Sequence, residues 1–314
     1  MIKIFKPKFW DDKISFISIL FFPVSLIVIF FTFLKKKLTK SKKFEIPIIC
    51  VGNIYIGGTG KTPTSILIAT ELLKLGRKPV ILRKYYKNHN DEYNLIKSKF
   101  KNLIVSKNRV FGLEKAVKSD FDIAILDDGL QDHGIKKNLK IVCFNSSQLI
   151  GNGLVIPSGP LREKLSNLRN AEIVIINGKK NKEFEKKILN INKKIEIFYS
   201  SYKPINLEQF ENKKLLAVAG IGNPENFFHL LEENNLKIYK KLILPDHYKF
   251  SENEIQNIID EAKTKNYQII MTEKDYFKIN NYKLEKINYL KVLLEINEKE
   301  KLIKKINSLY DKNN

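Results

Sequence analysis

The stretch Asn53-Ile54-Tyr55-Ile56-Gly57-Gly58-Thr59-Gly60-Lys61-Thr62 concentrates three glycines, a lysine and two threonine hydroxyls. Glycines let backbone N–H groups turn inward around phosphate oxygens, and a helix starting at its end adds the positive pole of its dipole. Gly57, Gly58, Thr59 and Gly60 then form the cradle. Lys61 is placed to reach the β and γ phosphates of a nucleotide, and the Thr62 hydroxyl to bind Mg²⁺. The commonest form of this loop has a glycine five residues before Gly60; Tyr55 stands there instead, and the loop takes the double-glycine form. A second cluster ends the apolar run Phe121–Leu126 in Asp127-Asp128-Gly129. A strand ending in Asp is how such proteins hold Mg²⁺ from the side opposite the loop, and adjacent carboxylates are costly without a cation near them. Pro157-Ser158-Gly159-Pro160-Leu161-Arg162-Glu163 is a loop fixed by two prolines and a glycine, displaying Arg162 as a candidate phosphate contact. Asp246-His247-Tyr248 carries a lone histidine outside any periodic segment, a pattern that is ordinarily just surface.

The elements that must position these groups alternate in type. Ile46–Val51 reads as a buried strand leading into the glycine loop, and Thr62–Leu75 has helical spacing and stops at Gly76. Pro79–Leu82, Phe121–Leu126, Leu139–Phe144 and Ile173–Ile176 read as further strands. Near residue 200 a second half begins: a strand at Leu215–Ala219, a helix from Pro224 to about Glu233, and a strand at Gln268–Met271. The Lys-rich stretch 179–194 reads as a solvated helix or linker. Alternating strands and helices predict an α/β protein with a parallel sheet covered on both faces.

Ile14–Leu34 has 21 residues and no charge, long enough to cross a bilayer as a helix. Lysines 35, 36, 37, 40, 42 and 43 follow it and place that flank in the cytoplasm by the positive-inside rule, although lysines 3, 6, 8 and 13 make the other flank basic too. The run lacks the cleavage site of a signal peptide. Pro23 can kink it, so a spanning helix and an in-plane or partly inserted anchor both remain open.

The formal net charge of +22 reflects a chain rich in lysine, asparagine and isoleucine throughout. No stretch interleaves clustered bases with aromatics, which argues against nucleic acid and for an anionic membrane surface. The five arginines (Arg77, Arg83, Arg109, Arg162 and Arg169) say more: guanidinium binds phosphate bidentately, so each is a functional candidate in a chain that otherwise uses lysine. The two cysteines, Cys50 and Cys143, sit in apolar runs and read as buried and reduced, implying a reducing compartment.

Seven motifs occur in order: Val51-Gly52-Asn53, Gly57-Gly58-Thr59-Gly60-Lys61-Thr62-Pro63, Asp127-Asp128-Gly129-Leu130-Gln131, Gly159-Pro160-Leu161-Arg162, Ala219-Gly220-Ile221-Gly222-Asn223-Pro224, Pro245-Asp246-His247 and Met271-Thr272-Glu273-Lys274-Asp275. With them the chain resembles the tetraacyldisaccharide 4′-kinase family of lipid A biosynthesis. The resemblance implies a P-loop NTPase-like α/β domain, a smaller second α/β lobe and an N-terminal membrane helix. The expected boundaries are 1–44 for the anchor and its basic flank, 45–200 for the kinase domain and 201–314 for the lobe.

The resemblance also implies ATP and Mg²⁺ as cofactors and transfer of the γ-phosphate to the 4′-hydroxyl of a tetraacylated glucosamine disaccharide 1-phosphate, giving lipid IVA. It places the enzyme on the cytoplasmic face of the inner membrane; a monomer is favoured. Lys61 and Thr62 would serve ATP and the metal, with Asp127 and Asp128 at the metal site. Asp91, of the Asp91-Glu92 pair, matches the family's catalytic base, and His247 its partner. Tyr85, Arg109, Gln131 and Arg162 match further active-site positions.

Three departures accompany the match. Arg83-Lys84-Tyr85-Tyr86 replaces the family's Arg-Gly-Tyr-Gly. Asp132 stands where a histidine usually follows the Asp-Asp-Gly-Leu-Gln motif, with His133 one residue later. The segment around Asp91 is short and weakly matched. Rival readings fit less well. In Thr272-Glu273-Lys274-Asp275 the lysine is one position late for a guanine-reading motif. Partitioning ATPases usually carry a lysine before the double glycine, where this chain has Ile56.

Overall fold

The computed structural model describes residues 6–11, 14–87, 89–246, 248–279 and 287–311. In chain order the elements are α1 (Phe16–Leu38), β1 (Ile48–Gly52), α2 (Lys61–Lys74), β2 (Pro79–Lys84), α3 (Asn90–Lys99), β3 (Leu103–Ser106), α4 (Arg109–Lys118), β4 (Ile123–Asp127), β5 (Leu139–Asn145), β6 (Ile173–Asn177), α5 (Lys182–Ile191) and β7 (Glu196–Pro204). They continue with β8 (Leu215–Ala219), α6 (Pro224–Glu233), β9 (Ile238–Ile243), α7 (Glu252–Thr264), β10 (Gln268–Thr272), α8 (Glu273–Ile279), β11 (Ile287–Leu290), β12 (Val292–Ile296) and α9 (Lys299–Asp311).

The chain forms two compact units. The larger holds Lys6–Tyr85, Lys99–Ser201 and Glu295–Asn314; the smaller holds Tyr86–Ser98 and Tyr202–Leu294. The division is therefore not a single cut near residue 200. The segment carrying α3 leaves the larger unit for the smaller one, and the C-terminal helix returns to the larger.

The larger unit is built on an eight-stranded sheet in the order β12-β7-β6-β5-β1-β4-β2-β3. Every pairing from β3 across to β7 is parallel. Its central strands β1, β4 and β6 are buried at every position, as a sheet covered on both faces requires. Parallel register brings Val51, Asp127 and Arg83 side by side at the carboxyl ends of β1, β4 and β2, with side chains on the same face. That edge is where doubly wound sheets bind ligands.

Stretch 179–194 contains a short amphipathic helix, α5: Asn181 caps it by accepting from the Phe184 N–H at 2.9 Å, and Phe184 and Ile188 are buried. The smaller unit has its own four-stranded parallel sheet, β11-β10-β8-β9, carrying α6, α7 and α8.

Among the described residues, α1 is the one helix long and apolar enough to cross a membrane. It extends to Leu38 because Lys35, Lys36 and Lys37 are good helix formers that complement the dipole's negative end. The helix is docked along a narrow seam. Ser18 and Ser25, two turns apart, are fully buried. Ser25 Oγ lies 2.8 Å from the Val155 carbonyl and 2.8 Å from Ser158 Oγ, and accepts from the Ser158 N–H at 3.1 Å. Asn152 donates to Ser18 Oγ at 3.1 Å and to the Ser158 carbonyl at 2.9 Å. Most other positions, from Phe16 to Phe33, expose large apolar side chains.

Candidate active site

The glycine loop connects β1 to α2. Gly60 is the residue before the helix, with φ 85° and ψ 14°, a left-handed conformation that a Cβ disfavours. No side chain caps α2, and its first turn contains no acidic residue, so its N–H groups remain available to an anion. Tyr55, standing where a glycine is usual, is wholly buried in the core beside Val155 and Leu161, and its hydroxyl accepts from Lys6 at 2.6 Å. Its φ is not positive, so that position makes no demand for glycine. The Thr59 hydroxyl is 2% exposed and has no hydrogen-bond partner, as has Asn53 Oδ1. Buried polar atoms left unpaired cost about 1–3 kcal/mol each, and an incoming ligand can relieve them.

Beside this loop lies a dense set of ion pairs. Asp127 is fully buried and forms an ion pair with Arg83, its register neighbour on β2. The same carboxylate accepts from Thr62 Oγ1 at 3.0 Å and from Ser65 Oγ at 3.1 Å. Asp128, at φ 55°, accepts from Arg162 at 2.8 Å and lies 3.7 Å from Lys61 Nζ. Burial alone would raise its pKa. The charges of Lys61, Arg162 and Arg83 outweigh that and hold the carboxyl well below the usual carboxylate range. Burial lowers the pKa of Lys61, with Asp128 opposing.

Arg162 reaches this point because its loop pairs with the glycine loop. Arg162 N–H donates to the Ile54 carbonyl at 2.7 Å, and Ile56 N–H to the Pro160 carbonyl at 2.9 Å. Gln131 ties the same elements together, donating to the Asn53 carbonyl at 3.0 Å and to Glu163 at 2.8 Å. Arg109 braces the turn after β4: it donates to the Asp128 carbonyl at 2.6 Å and lies 3.4 Å from the Asp132 carboxylate. Tyr85 directly follows β2, donating its N–H to the Ser106 carbonyl at 2.9 Å, with its ring partly exposed.

Asp132 and His133 therefore have separate placements. Asp132 pairs with Arg109, whereas His133 lines a cavity of about 720 Å³ alongside α1. Burial is the main cause that lowers the His133 pKa, aided by nearby lysines, which favours the neutral ring. Leu26, Ile29 and Phe33 of α1 give this cavity an apolar wall, while Gln131, Arg162 and Lys164 give it a polar end.

In the smaller unit Asp91, 5% exposed, occupies the first turn of α3. Lys274 Nζ lies 3.9 Å from its carboxylate, 3.2 Å from Glu92 and 3.0 Å from Asp246. His247 lies outside the described residues.

The structure thus collects Lys61, Thr62, Asp127, Asp128, Gln131 and Arg162 around one loop, with Arg109 behind them. Among the described residues no group of three or more His, Cys, Asp or Glu side chains is arranged to hold a metal. The Thr62–Asp127 pair is the described arrangement closest to the expected Mg²⁺ donors. Sequence reasoning assigned no role to Ser65, Glu163, Lys274 or Asn53. It gave Arg83 no specific role; the available signals were the general candidacy of every arginine and its match to the arginine of the family's Arg-Gly-Tyr-Gly.

The chain is similar to known proteins along its whole length. The family model described as tetraacyldisaccharide-1-P 4′-kinase, LpxK, matches residues 17–311. A tetraacyldisaccharide 4′-kinase of Pelagibacter ubique is 42% identical, covering 99% of this chain and 100% of the relative. Proteins of the same name from Rickettsia bellii and Francisella tularensis subsp. novicida are 33% and 31% identical, covering 98% and 92% of this chain and 99% of each relative. A crystal structure of LpxK from Aquifex aeolicus in complex with ATP superposes with a TM-score of 0.68 at 23% identity, covering 92% of this chain and 98% of that one, and shares its fold.

Proposed function

We infer the reaction from one premise: the chain belongs to the tetraacyldisaccharide-1-P 4′-kinase family, and it is a kinase. We propose that it transfers the γ-phosphate of ATP to the 4′-hydroxyl of a tetraacylated glucosamine disaccharide 1-phosphate, giving lipid IVA. The observation that carries this reading is the amphipathic cavity whose polar end includes Arg162. That arginine is hydrogen-bonded to Asp128, which in turn lies beside Lys61 of the uncapped glycine loop. An acyl chain suits the wall formed by α1; a sugar and its phosphate suit the end formed by Gln131, Arg162 and Lys164.

In this reading the loop N–H groups, Thr59 and Lys61 bind the nucleotide's phosphates. Lys61 and Arg162 exchange the Asp128 carboxylate for phosphoryl oxygens and neutralise charge that develops on them. Arg109 and Gln131 hold the turn that carries Asp128. The Thr62 hydroxyl and Asp127 carboxylate are hard oxygen donors suited to Mg²⁺, which would supply further neutralisation of phosphate charge. Asp91 takes the proton of the acceptor hydroxyl as its oxygen bonds to the γ-phosphorus and the bond to the ADP oxygen breaks. Most of the rate comes from positioning and charge neutralisation.

The same reading places the enzyme on the cytoplasmic face of the inner membrane. A helix hydrogen-bonded at Ser18 and Ser25 to the 152–158 loop has its middle held by the larger unit. It therefore offers its outer apolar face to one leaflet, as an in-plane anchor does. Lys35, Lys36 and Lys37 lie at its polar end, suited to anionic headgroups.

The test is transfer of label from γ-labelled ATP into a tetraacyl disaccharide 1-phosphate by the purified full chain in mixed micelles. Label in the lipid at the 4′ position supports the proposal. ATP consumed without labelled lipid overturns the acceptor, and no nucleotide consumption overturns the whole assignment.

A further inference from the structure

The charged cluster of the smaller unit is organised by one lysine. Lys274 Nζ sits 3.0 Å from Asp246, 3.2 Å from Glu92 and 3.9 Å from Asp91. These carboxylates come from two separate segments, the first turn of α3 and the loop after β9 that precedes position 247. The lysine side chain is itself only 17% exposed, which limits screening by water.

The backbone under Lys274 is rigidly held. Its neighbour Asp275 is fully buried. It accepts from the Gly220 N–H at 2.7 Å, from Thr272 Oγ1 at 2.6 Å and from Lys278 at 2.6 Å, while its own N–H donates to Thr272 Oγ1 at 3.1 Å. The Gly220 site is close-packed: a Cβ there would lie 3.0 Å from Asp275 Oδ1. The first turn of α8 is therefore locked to the end of β8, and Lys274 is presented from a fixed base.

We propose that Lys274 is a positioning residue for phosphoryl transfer, keeping Asp91 ionised and aligned for proton acceptance while tying its helix to Asp246. The inference rests on the reading of Asp91 as the proton acceptor. A buried carboxylate that must accept a proton is useful only when ionised, and burial opposes ionisation. The Lys274 ammonium, within 4 Å, counters that burial. Other charges face the same site. Glu92 neighbours Asp91 on α3, His89 is 2.9 Å from Glu92, and Asp246 approaches from the β9 side. Asp275 and Lys278 lie along α8 and neutralise each other.

The experiment measures kcat against pH for the full chain and for the variants K274M, K274R and D91N. The acid limb of the profile reports protonation of the base, and its position does not depend on what fraction of a preparation is folded. Removing the ammonium while keeping the chain length should move that limb to higher pH by about 1 unit or more. KM for ATP should be unchanged, because the nucleotide site lies in other residues. K274R retains the charge and should keep the limb in place even where its kcat falls. K274Q provides the same neutralisation if K274M does not fold. If neutral variants lose activity with the limb unmoved while D91N is inactive, Lys274 is only a structural tie and the inference is overturned. If D91N keeps turnover within about tenfold of the parent, the assignment of the base fails and takes the inference with it.

Discussion

Two clusters bring carboxylates and cations together, one in each unit, and they are balanced in opposite ways. In the larger unit Asp127 and Asp128 face Lys61, Arg83 and Arg162, so cations outnumber carboxylates at the glycine loop. In the smaller unit Lys274 lies within 4 Å of three carboxylates, those of Asp91, Glu92 and Asp246. The first balance suits a polyanion, and in the proposed reaction phosphate oxygens would replace Asp128 at Lys61 and Arg162. The second gathers three carboxylates about Lys274, the setting in which we propose that Asp91 accepts a proton. Within the first cluster the two aspartates also differ. Asp127 is fully buried and locked by Arg83, Thr62 and Ser65, whereas the Asp128 side chain is 23% exposed and held by groups that a ligand can claim.

The largest expected effect breaks the locked pair. Arg83→Met leaves the Asp127 carboxylate buried with only two hydroxyl partners. Removing one member of such a pair should cost about 3–5 kcal/mol of stability. Chemical denaturation of the detergent-solubilised chain measures it, and Arg83→Met/Asp127→Leu should recover part of the loss. A cost below about 1 kcal/mol would show that this pair behaves like a surface one.

Lys61→Ala probes the exchangeable half of the same cluster. Turnover should fall by about 10²–10³-fold, as when one donor to a transition-state anion is removed. Stability should stay within about 1 kcal/mol, because a desolvated cation leaves and Asp128 keeps Arg162. A stability loss as large as that of Arg83→Met would erase the distinction between locked and exchangeable carboxylates.

That distinction was only partly readable from the chain. Lys61, Thr62 and Asp127 announce themselves because each sits in a contiguous motif that ends or follows a strand whose other residues are apolar or small. The pairing of Arg83 with Asp127 depends on the parallel register of β2 on β4, across 44 residues, which no local pattern encodes. The P-loop-type sheet and the second α/β lobe were legible from alternating strands and helices. The outer strands were not: β9, Ile-Tyr-Lys-Lys-Leu-Ile, lies at the edge of its sheet, and two adjacent lysines mask its period. Helix α3, with Asp91 in its first turn, is too polar to show an apolar period. Its departure from the larger unit is a property of tertiary contacts alone. Lys274 lay within a recognised motif, but its partners come from segments 28 and more than 180 residues away.

A smaller effect separates the aspartates by pH. The Asp128 carboxyl is held below its ordinary range in the folded chain, so it contributes stability above its unfolded value near 4, and that contribution is lost as pH falls toward the folded value. The parent should therefore lose stability steadily from about pH 5 downward, and Asp128→Asn should flatten that part of the curve while lowering stability at neutral pH. Thermal melting across this range measures it; parallel curves for the two proteins would mean that the neighbouring cations do not act on Asp128.

The smallest effect tests whether the second cluster is held together by one strong tie or shared among weak ones. Asp246 is 31% exposed and meets Lys274 at 3.0 Å, so water competes for both partners. An ion pair of this exposure is worth about 0.2–1 kcal/mol. Asp246→Asn keeps the shape of the side chain and removes its charge. Stability should fall by no more than about 1 kcal/mol, and turnover by less than about fivefold, while Lys274 keeps Glu92 and Asp91. The direction of any change in the pH profile is also fixed. Removing one carboxylate from the shared lysine leaves its charge more fully available to Asp91, so the acid limb should stay in place or move slightly to lower pH. A limb moving to higher pH would mean that Asp246 is needed to hold Lys274 against Asp91. The cluster would then be a locked network like the one around Asp127, and the contrast between the two units would lie in their charge balance alone.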